Sequence, residues 1–228
     1  MKNKMNVVDL GLITYQEAYQ IQKTIYYLCY KTQLEDTLLF QENYPVITLG
    51  RSSAKQHVLV DPQQLHNYGI DVVHVDRGGD VTFHGPGQWV VSIISNLKNR
   101  TSNIHTFLRM LEKVIMITLN QHGLSPSQKE NLSGVWVDDK KIASIGIAVE
   151  HGITRHGFAL NVNLDLSYFD LIVACGIEKV EMTSMAQLAD KKFNMNHIKE
   201  DLLNAFKQVF DIEYQIIQYK KGMFNNDC

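Results

Sequence analysis

Arg77-Gly78-Gly79-Asp80-Val81-Thr82-Phe83-His84-Gly85-Pro86-Gly87-Gln88 places four glycines, a proline, an arginine and a histidine within twelve residues. An apolar run, Ile70 to Val75, precedes it, and another, Trp89 to Ile94, follows. The pattern predicts two strands flanking a loop whose backbone can come close to a ligand. A solvated turn has no need of Arg, Thr, His and Gln at set places among glycines.

Outward from this loop the chain alternates. Val7 to Leu10 reads as a short strand. Thr14 and Glu17 fit a capping box, and Ala18, Ile21, Ile25 and Leu28 recur at helical spacing, so a helix runs to about Lys31. Leu38 to Phe40 and Val46 to Leu49 read as strands around a Pro45 turn. Asp61-Pro62 opens a short helix that stops near Gly69. A long helix is expected over about Ile104 to Gln121. Ile104, Phe107, Leu108, Leu111 and Ile115 form its stripe, and Gly123 ends it. Val135 to Val137, Asp138-Asp139-Lys140 and Lys141 to Val149 read as a hairpin. Gly157 to Val162 reads as a strand, His197 to about Phe210 as a helix and Tyr214 to Ile217 as a last strand. The order implies an α+β fold, with one main mixed β-sheet and helices packed against it. Residues 1–228 read as a single catalytic domain, with room for a small C-terminal subdomain from about residue 180.

At 228 residues and 45% apolar content, the chain can bury a sizeable core. A net charge of −2 at pH 7 argues against broad nucleic-acid binding. No apolar run reaches the roughly 18 residues of a membrane span. The start, Met1 to Asn6, lacks the apolar core of a signal peptide. Cys29, Cys175 and Cys228 are odd in number and far apart, and read as reduced thiols of a cytoplasmic protein.

Two residues stand between a plain and a chemical reading. Cys175, in Leu171-Ile172-Val173-Ala174-Cys175-Gly176-Ile177, is either a small buried hydrophobe or a nucleophile. The glycine beside it gives access and leaves a backbone N–H near the sulfur, able to hold an oxyanion. Lys141 is either a solvated hairpin charge or an inward-pointing amine, where burial favours the neutral form. Cys29 reads as packing and Cys228 as a loose terminus. Ala143, Ser144, Gly146, Gly157 and Ala159 are small and leave space for something slender. His84 and His156 each precede a glycine. No histidine has metal-ligand spacing, and no phosphate loop, G-x-S-x-G elbow or complete dinucleotide fingerprint is present.

Arg77-Gly78-Gly79-(x)2-Thr82-Phe83-His84-Gly85-Pro86-Gly87-Gln88 resembles the signature of the LipB family of lipoyl(octanoyl) transferases. The resemblance continues in Lys141-Ile142-Ala143-Ser144-Ile145-Gly146, in His156-Gly157-Phe158-Ala159-Leu160-Asn161, in Ala174-Cys175-Gly176-Ile177 and in Thr183-Ser184. Many members have proline before the cysteine, where this chain has Ala174. Asp80 occupies a variable position of the signature. The resemblance implies the catalytic-domain fold of biotin and lipoate protein ligases, and catalysis by Cys175 and Lys141. It implies octanoyl transfer from acyl carrier protein to a lysine of apo lipoyl domains, the first committed step of lipoate synthesis. Those domains are E2 subunits of 2-oxoacid dehydrogenases and the glycine cleavage H protein. Substrate binding is expected from Arg77, Gly78, Gly79, Asp80, Val81, Thr82, Phe83 and His84, with Arg77 and His84 as polar anchors. Ser144, Ile145, Gly146, Gly157, Phe158 and Ala159 are expected to complete the pocket. Arg51 is a further candidate, facing the same site or the carrier's phosphopantetheine.

The implied chemistry is consistent with the residues. The donor is a thioester, already activated, so neither ATP nor metal is required. A free cysteine titrates at about 8.5, so only a few per cent is thiolate near pH 7, and a neighbouring lysine can take its proton. The acceptor lysine, titrating at about 10.4, must also lose a proton as it attacks. No nucleic-acid or membrane partner is implied, and a monomer is expected. The nearest rival is an ATP-dependent lipoate- or biotin-type ligase, which has no requirement for Cys175. An amidotransferase moving the acyl group between proteins, and a non-enzymatic carrier-binding module, are the others.

Overall fold

The Thr14 hydroxyl accepts the Glu17 N–H at 3.3 Å, and Glu17 Oε2 accepts the hydroxyl proton at 2.7 Å. This box starts α1 (Tyr15–Tyr30). Asn103 Oδ1 accepts the Thr106 N–H at 2.8 Å and caps α3 (Ile104–Gln121), whose bounds match the sequence expectation. The computed structural model describes residues 3–101, 103–177 and 180–224. The terminal Cys228 lies outside the described residues.

The strands are β1 (Asn3–Ile13), β2 (Thr37–Asn43), β3 (Val46–Leu49), β4 (Asp71–His74), β5 (Val81–His84), β6 (Gln88–Ile94), β7 (Pro126–Ser127), β8 (Val135–Val137), β9 (Lys140–Glu150), β10 (Ile153–Asn161) and β11 (Ile212–Ile217). The remaining helices are α2 (Pro62–Asn67), α4 (Met185–Ala189) and α5 (Met195–Phe210). Eight strands form one sheet in the order β11-β1-β2-β6-β10-β9-β8-β7. β1 pairs in parallel with both β11 and β2, and the pairs from β2 to β7 are antiparallel.

One face of this sheet packs against α3 and α5. Phe107, Leu111, Ile115, Leu202 and Phe206 are all fully buried there. Each such side chain contributes about 1.5–3 kcal/mol by leaving water. The other face packs against Ala18, Ile21 and Ile25 of α1. The C-terminal α5 and β11 thus join the same core and the same sheet.

The eight-stranded sheet is the expected main sheet, and β4-β3-β5 form a second, three-stranded one. One expectation is corrected. The segment from Arg77 to Gln88 is not a continuous loop, because Val81–His84 forms β5, antiparallel to β3. All four residues of β5 are buried. A strand covered on both faces shows no alternation, and four residues between glycine pairs carry too little local signal to reveal one.

Candidate active site

Cys175 sits in a tight turn, Ala174–Gly176, with φ 59° and ψ 13°. A non-glycine residue in this left-handed region costs on the order of 1–3 kcal/mol, which surrounding contacts must offset. Those contacts come from the 55–59 segment. Val173 donates its N–H to the His57 carbonyl at 2.8 Å, and Leu59 donates to the Leu171 carbonyl at 2.9 Å. The Gly176 N–H, expected to be free for an oxyanion, donates instead to the Val173 carbonyl at 3.0 Å. The turn consumes that donor.

Asp80 completes the brace. One oxygen accepts the Val81 N–H at 2.7 Å, and the other meets His57 Nδ1 at 2.9 Å. A Cβ on Gly176 would lie 2.5 Å from Asp80 Oδ2, and Gly176 has φ +66°. Gly176→Ala should therefore displace the carboxylate and shift Cys175. An expected slowing of about 100-fold, with the fold retained, matches a displacement near 1 Å. Stopped-flow acylation with circular dichroism checks this, and an unaffected rate would remove the brace from the argument.

Lys141 is 2% exposed, and its Nζ lies 3.2 Å from Cys175 Sγ. The amine also lies 5.1 Å from the Trp136 ring centre. Strand alternation alone would turn Lys141 toward the helix-covered core with Ala143. A β-bulge prevents this. Val135 pairs with Ala143 but Trp136 pairs with Lys141, so β9 carries one extra residue there. Ile142 and Ala143 both enter the core, while Lys141 and Ser144 emerge on the other face. Bulges re-aim side chains in this way. The Ser144 hydroxyl lies 3.6 Å from the same sulfur.

The Gly-rich segment closes over β9. Gly78 donates its N–H to the Ile147 carbonyl at 2.9 Å, and a Cβ on Gly146 would lie 2.8 Å from the Gly78 carbonyl. Arg77 is turned inward. Its guanidinium donates to the Thr48 carbonyl at 2.9 Å, to Thr48 Oγ1 at 2.8 Å and to the Gly78 carbonyl at 3.2 Å. His84 is buried between Gln88 Oε1 at 2.8 Å and Thr48 Oγ1 at 3.3 Å. Burial pushes its pKa down to about 3, so it is neutral at physiological pH.

These groups line a cavity of about 360 Å³. It gathers Cys175, Lys141 and the expected substrate-binding residues with one exception. Phe83 points the other way, stacked on Tyr168 with ring centres 4.5 Å apart. Along β5 the cavity side belongs to Thr82 and His84, and Phe83 takes the opposite face. Arg51 is exposed, off the cavity wall, and donates its backbone N–H to the Arg77 carbonyl at 3.1 Å. Cys29 is buried, and burial pushes its thiol up to about 12.

The inner wall holds residues that sequence reading missed: Tyr15, Tyr19, Gln22, Gln41, Val90 and Ser92. A signal existed for three of them, because Tyr15, Tyr19 and Gln22 fall on one helical face at i, i+4 and i+7. Behind them Asp76 accepts from Tyr19 OH at 2.9 Å and bonds His156 Nε2 at 2.7 Å. The His156 contact holds the Asp76 carboxyl well below the usual range, and burial lowers the pKa of His156.

These shifts make the fold acid-sensitive. An unfolded His84 takes up a proton near pH 6.5, while the folded one stays neutral to about pH 3. Below pH 6.5 the unfolded chain binds a proton that the folded chain refuses, so stability falls on acidification. His156 acts in the same direction. Asp76 adds a further loss only below the ordinary carboxylate range, near pH 4. Each histidine contributes up to about 1.4 kcal/mol per pH unit. Thermal melts should therefore drop between pH 6.5 and 5, and a flat Tm over that interval would contradict the burial argument.

Residues 14–207 match the model of the lipoyl protein ligase A/B catalytic domain. The octanoyltransferase of Clostridium kluyveri is 38% identical over 202 residues, covering 89% of this chain and 86% of that protein. That of Caldanaerobacter subterraneus is 38% identical over 211 residues, covering 92% of each. The chain belongs to the LipB octanoyltransferase family. The solved structures show how widely the LipB-type fold is shared. A lipoate-protein ligase A bound with ATP superposes with a TM-score of 0.76 at 14% identity, covering 97% of this chain and 90% of that one. A biotin protein ligase of Aquifex aeolicus, in complex with biotin and ATP, gives 0.55 at 12% identity, covering 92% and 71%. At such identities the likeness concerns the fold alone.

Proposed function

We propose that this chain moves an octanoyl group from octanoyl-acyl carrier protein to a lysine of apo lipoyl domains, through an acyl-Cys175 thioester. One observation carries the reading: a buried lysine amine lies 3.2 Å from the sulfur of a strained, partly exposed cysteine at a cavity with Ser144, Gly146, Gly157 and Ala159 on its wall. Lys141 takes the thiol proton, and the thiolate attacks the donor carbonyl. The carrier's phosphopantetheine thiolate leaves and takes the proton back from Lys141. The acceptor amine then attacks acyl-Cys175 and gives its proton to Lys141. The C–S bond breaks, the amide forms and the Cys175 thiolate is released. Amide formation from a thioester makes this half-reaction downhill.

Arg77, Gly78, Gly79, Asp80, Val81, Thr82 and His84 shape one wall of the site in this scheme, Arg77 and His84 by holding the loop from inside. Phe83 supports it from behind. Ser144, Ile145, Gly146, Gly157, Phe158 and Ala159 form the opposite wall. The reading requires neither ATP nor metal, since the donor thioester is activated at the outset. Among the described residues no group of three His, Cys, Asp or Glu is placed to hold a metal, and no helix is long and apolar enough to cross a membrane. The acceptors in this reading are 2-oxoacid dehydrogenase E2 subunits and the glycine cleavage H protein. The enzyme works as a cytoplasmic monomer with a single catalytic domain.

The test is intact mass after mixing the protein with octanoyl-acyl carrier protein, without ATP. The expected result is a gain of one octanoyl group, reversed by hydroxylamine and absent in Cys175→Ala. No adduct, with octanoate incorporation appearing only when ATP is added, would favour the ligase chemistry of the structural neighbours.

A further inference from the structure

A straight row of residues crosses the large sheet, beginning beside the nucleophile. Ser144 pairs with Ala159, Ala159 with Val90, and Val90 with Gln41. Residues directly paired on antiparallel strands project from the same face, so the four side chains form one line over β9, β10, β6 and β2. All four border the cavity. The side chains grow along the line, from serine and alanine through valine to glutamine.

The Gln41 amide is oriented by groups behind it. The Ile13 carbonyl can only accept, and it accepts from Asn43 Nδ2 at 3.2 Å. Asn43 Oδ1 therefore faces Gln41 and accepts its Nε2 at 3.1 Å. Gln41 Oε1 is left buried without a protein partner among the described residues, in a side chain belonging to a residue only 3% exposed. A buried carbonyl of this kind gains nothing from an alkyl group, which returns no hydrogen bond to it, whereas a donor placed against it would satisfy it.

We propose that Gln41 sets the acyl chain length: the chain lies along the row from Cys175 and must end before the Gln41 carbonyl. This rests on the acyl-Cys175 reading given above. Strands about 4.8 Å apart put Val90 roughly 10 Å and Gln41 roughly 14 Å from Ser144 along the row. An extended chain advances roughly 1.2 Å per bond, so eight carbons span about 8 Å and end over Val90. Ten carbons span about 11 Å before the C–S bond is added, and bring the terminal methyl against Gln41.

The test is a competition between equimolar octanoyl- and decanoyl-acyl carrier protein, read as the ratio of the two adducts on Cys175 by intact mass. The ratio is internal to each preparation, so a partly unfolded variant still reports it. Octanoyl should dominate in the unaltered protein, and Gln41→Leu should raise the decanoyl share about tenfold. A second measurement needs no variant. A decanoyl chain carrying a terminal hydroxyl can donate to Gln41 Oε1, and should label the unaltered protein several-fold faster than plain decanoyl. An octanoyl adduct with a ratio unchanged by Gln41→Leu, or equal labelling by the two ten-carbon chains, would overturn the proposal alone. Absence of any adduct on the unaltered protein would remove the acyl-cysteine reading and this proposal with it.

Discussion

Cys175→Ala should abolish the acyl-enzyme and lower turnover by on the order of 10⁴- to 10⁶-fold, the loss seen when a covalent nucleophile is removed. The fold should survive, because alanine inherits the left-handed conformation at φ 59° at a cost similar to cysteine's. Steady-state transfer to a lipoyl domain, with circular dichroism as the folding control, checks both halves. Turnover within tenfold of the unaltered protein would mean that the acyl group passes directly from carrier to acceptor. Cys175 would then be a packing residue, as Cys29 is.

Lys141→Met should slow both half-reactions by about 10²- to 10⁴-fold, the range for a positioned acid–base group. Methionine keeps the length of a side chain that packs against Trp136 and Gly134 but removes the proton carrier. Lys141→Arg separates two roles of the amine. Arginine keeps the positive charge beside the sulfur, yet its guanidinium does not give up a proton in proteins. If Lys141 acts as a base toward the acceptor amine, arginine should restore acylation of Cys175 more than transfer onward, and the acyl-enzyme should accumulate. Equal recovery of both steps, in pre-steady-state measurements, would reduce Lys141 to an electrostatic partner of the thiolate.

The neighbourhood of Lys141 also shows how a distant group supports the site. Glu112 of α3 is 1% exposed, and its carboxylate accepts the Gly134 N–H at 3.1 Å and the Gln128 amide at 2.8 Å. A Cβ on Gly134 would lie 2.7 Å from Lys141 Cε. The 128–134 segment is thereby held against the amine at a distance only glycine permits.

Much of the fold and of the site is legible in the amino-acid sequence. Short-range chemistry sets the helices: the Thr14 and Asp61 caps and the apolar stripe from Ile104 to Ile115 act within a few residues of themselves. The Asp138-Asp139 turn and the strands on either side of it are equally local. The cysteine, the lysine and the Gly-rich block carry the family resemblance, and the cavity gathers nearly all the residues read from it. Sequence reading fails where a residue's partner is remote. β5 forms because β3 lies beside it. Nothing in the neighbours of Asp80 reveals that it braces the turn of Cys175, 95 residues further along. The Gly176 N–H reads as available because nothing in its immediate neighbours reveals the turn that uses it.

The sequence by itself determined which residues could do chemistry and which stretches would coil or extend, since both follow from side-chain type and near-neighbour spacing. The tertiary structure alone decided where they point. One extra residue in β9 turns Lys141 from the core to the cavity, and the pairing of four strands lines Gln41 up with Ser144. Register and bulges depend on contacts between segments far apart in the chain, and no local propensity encodes them.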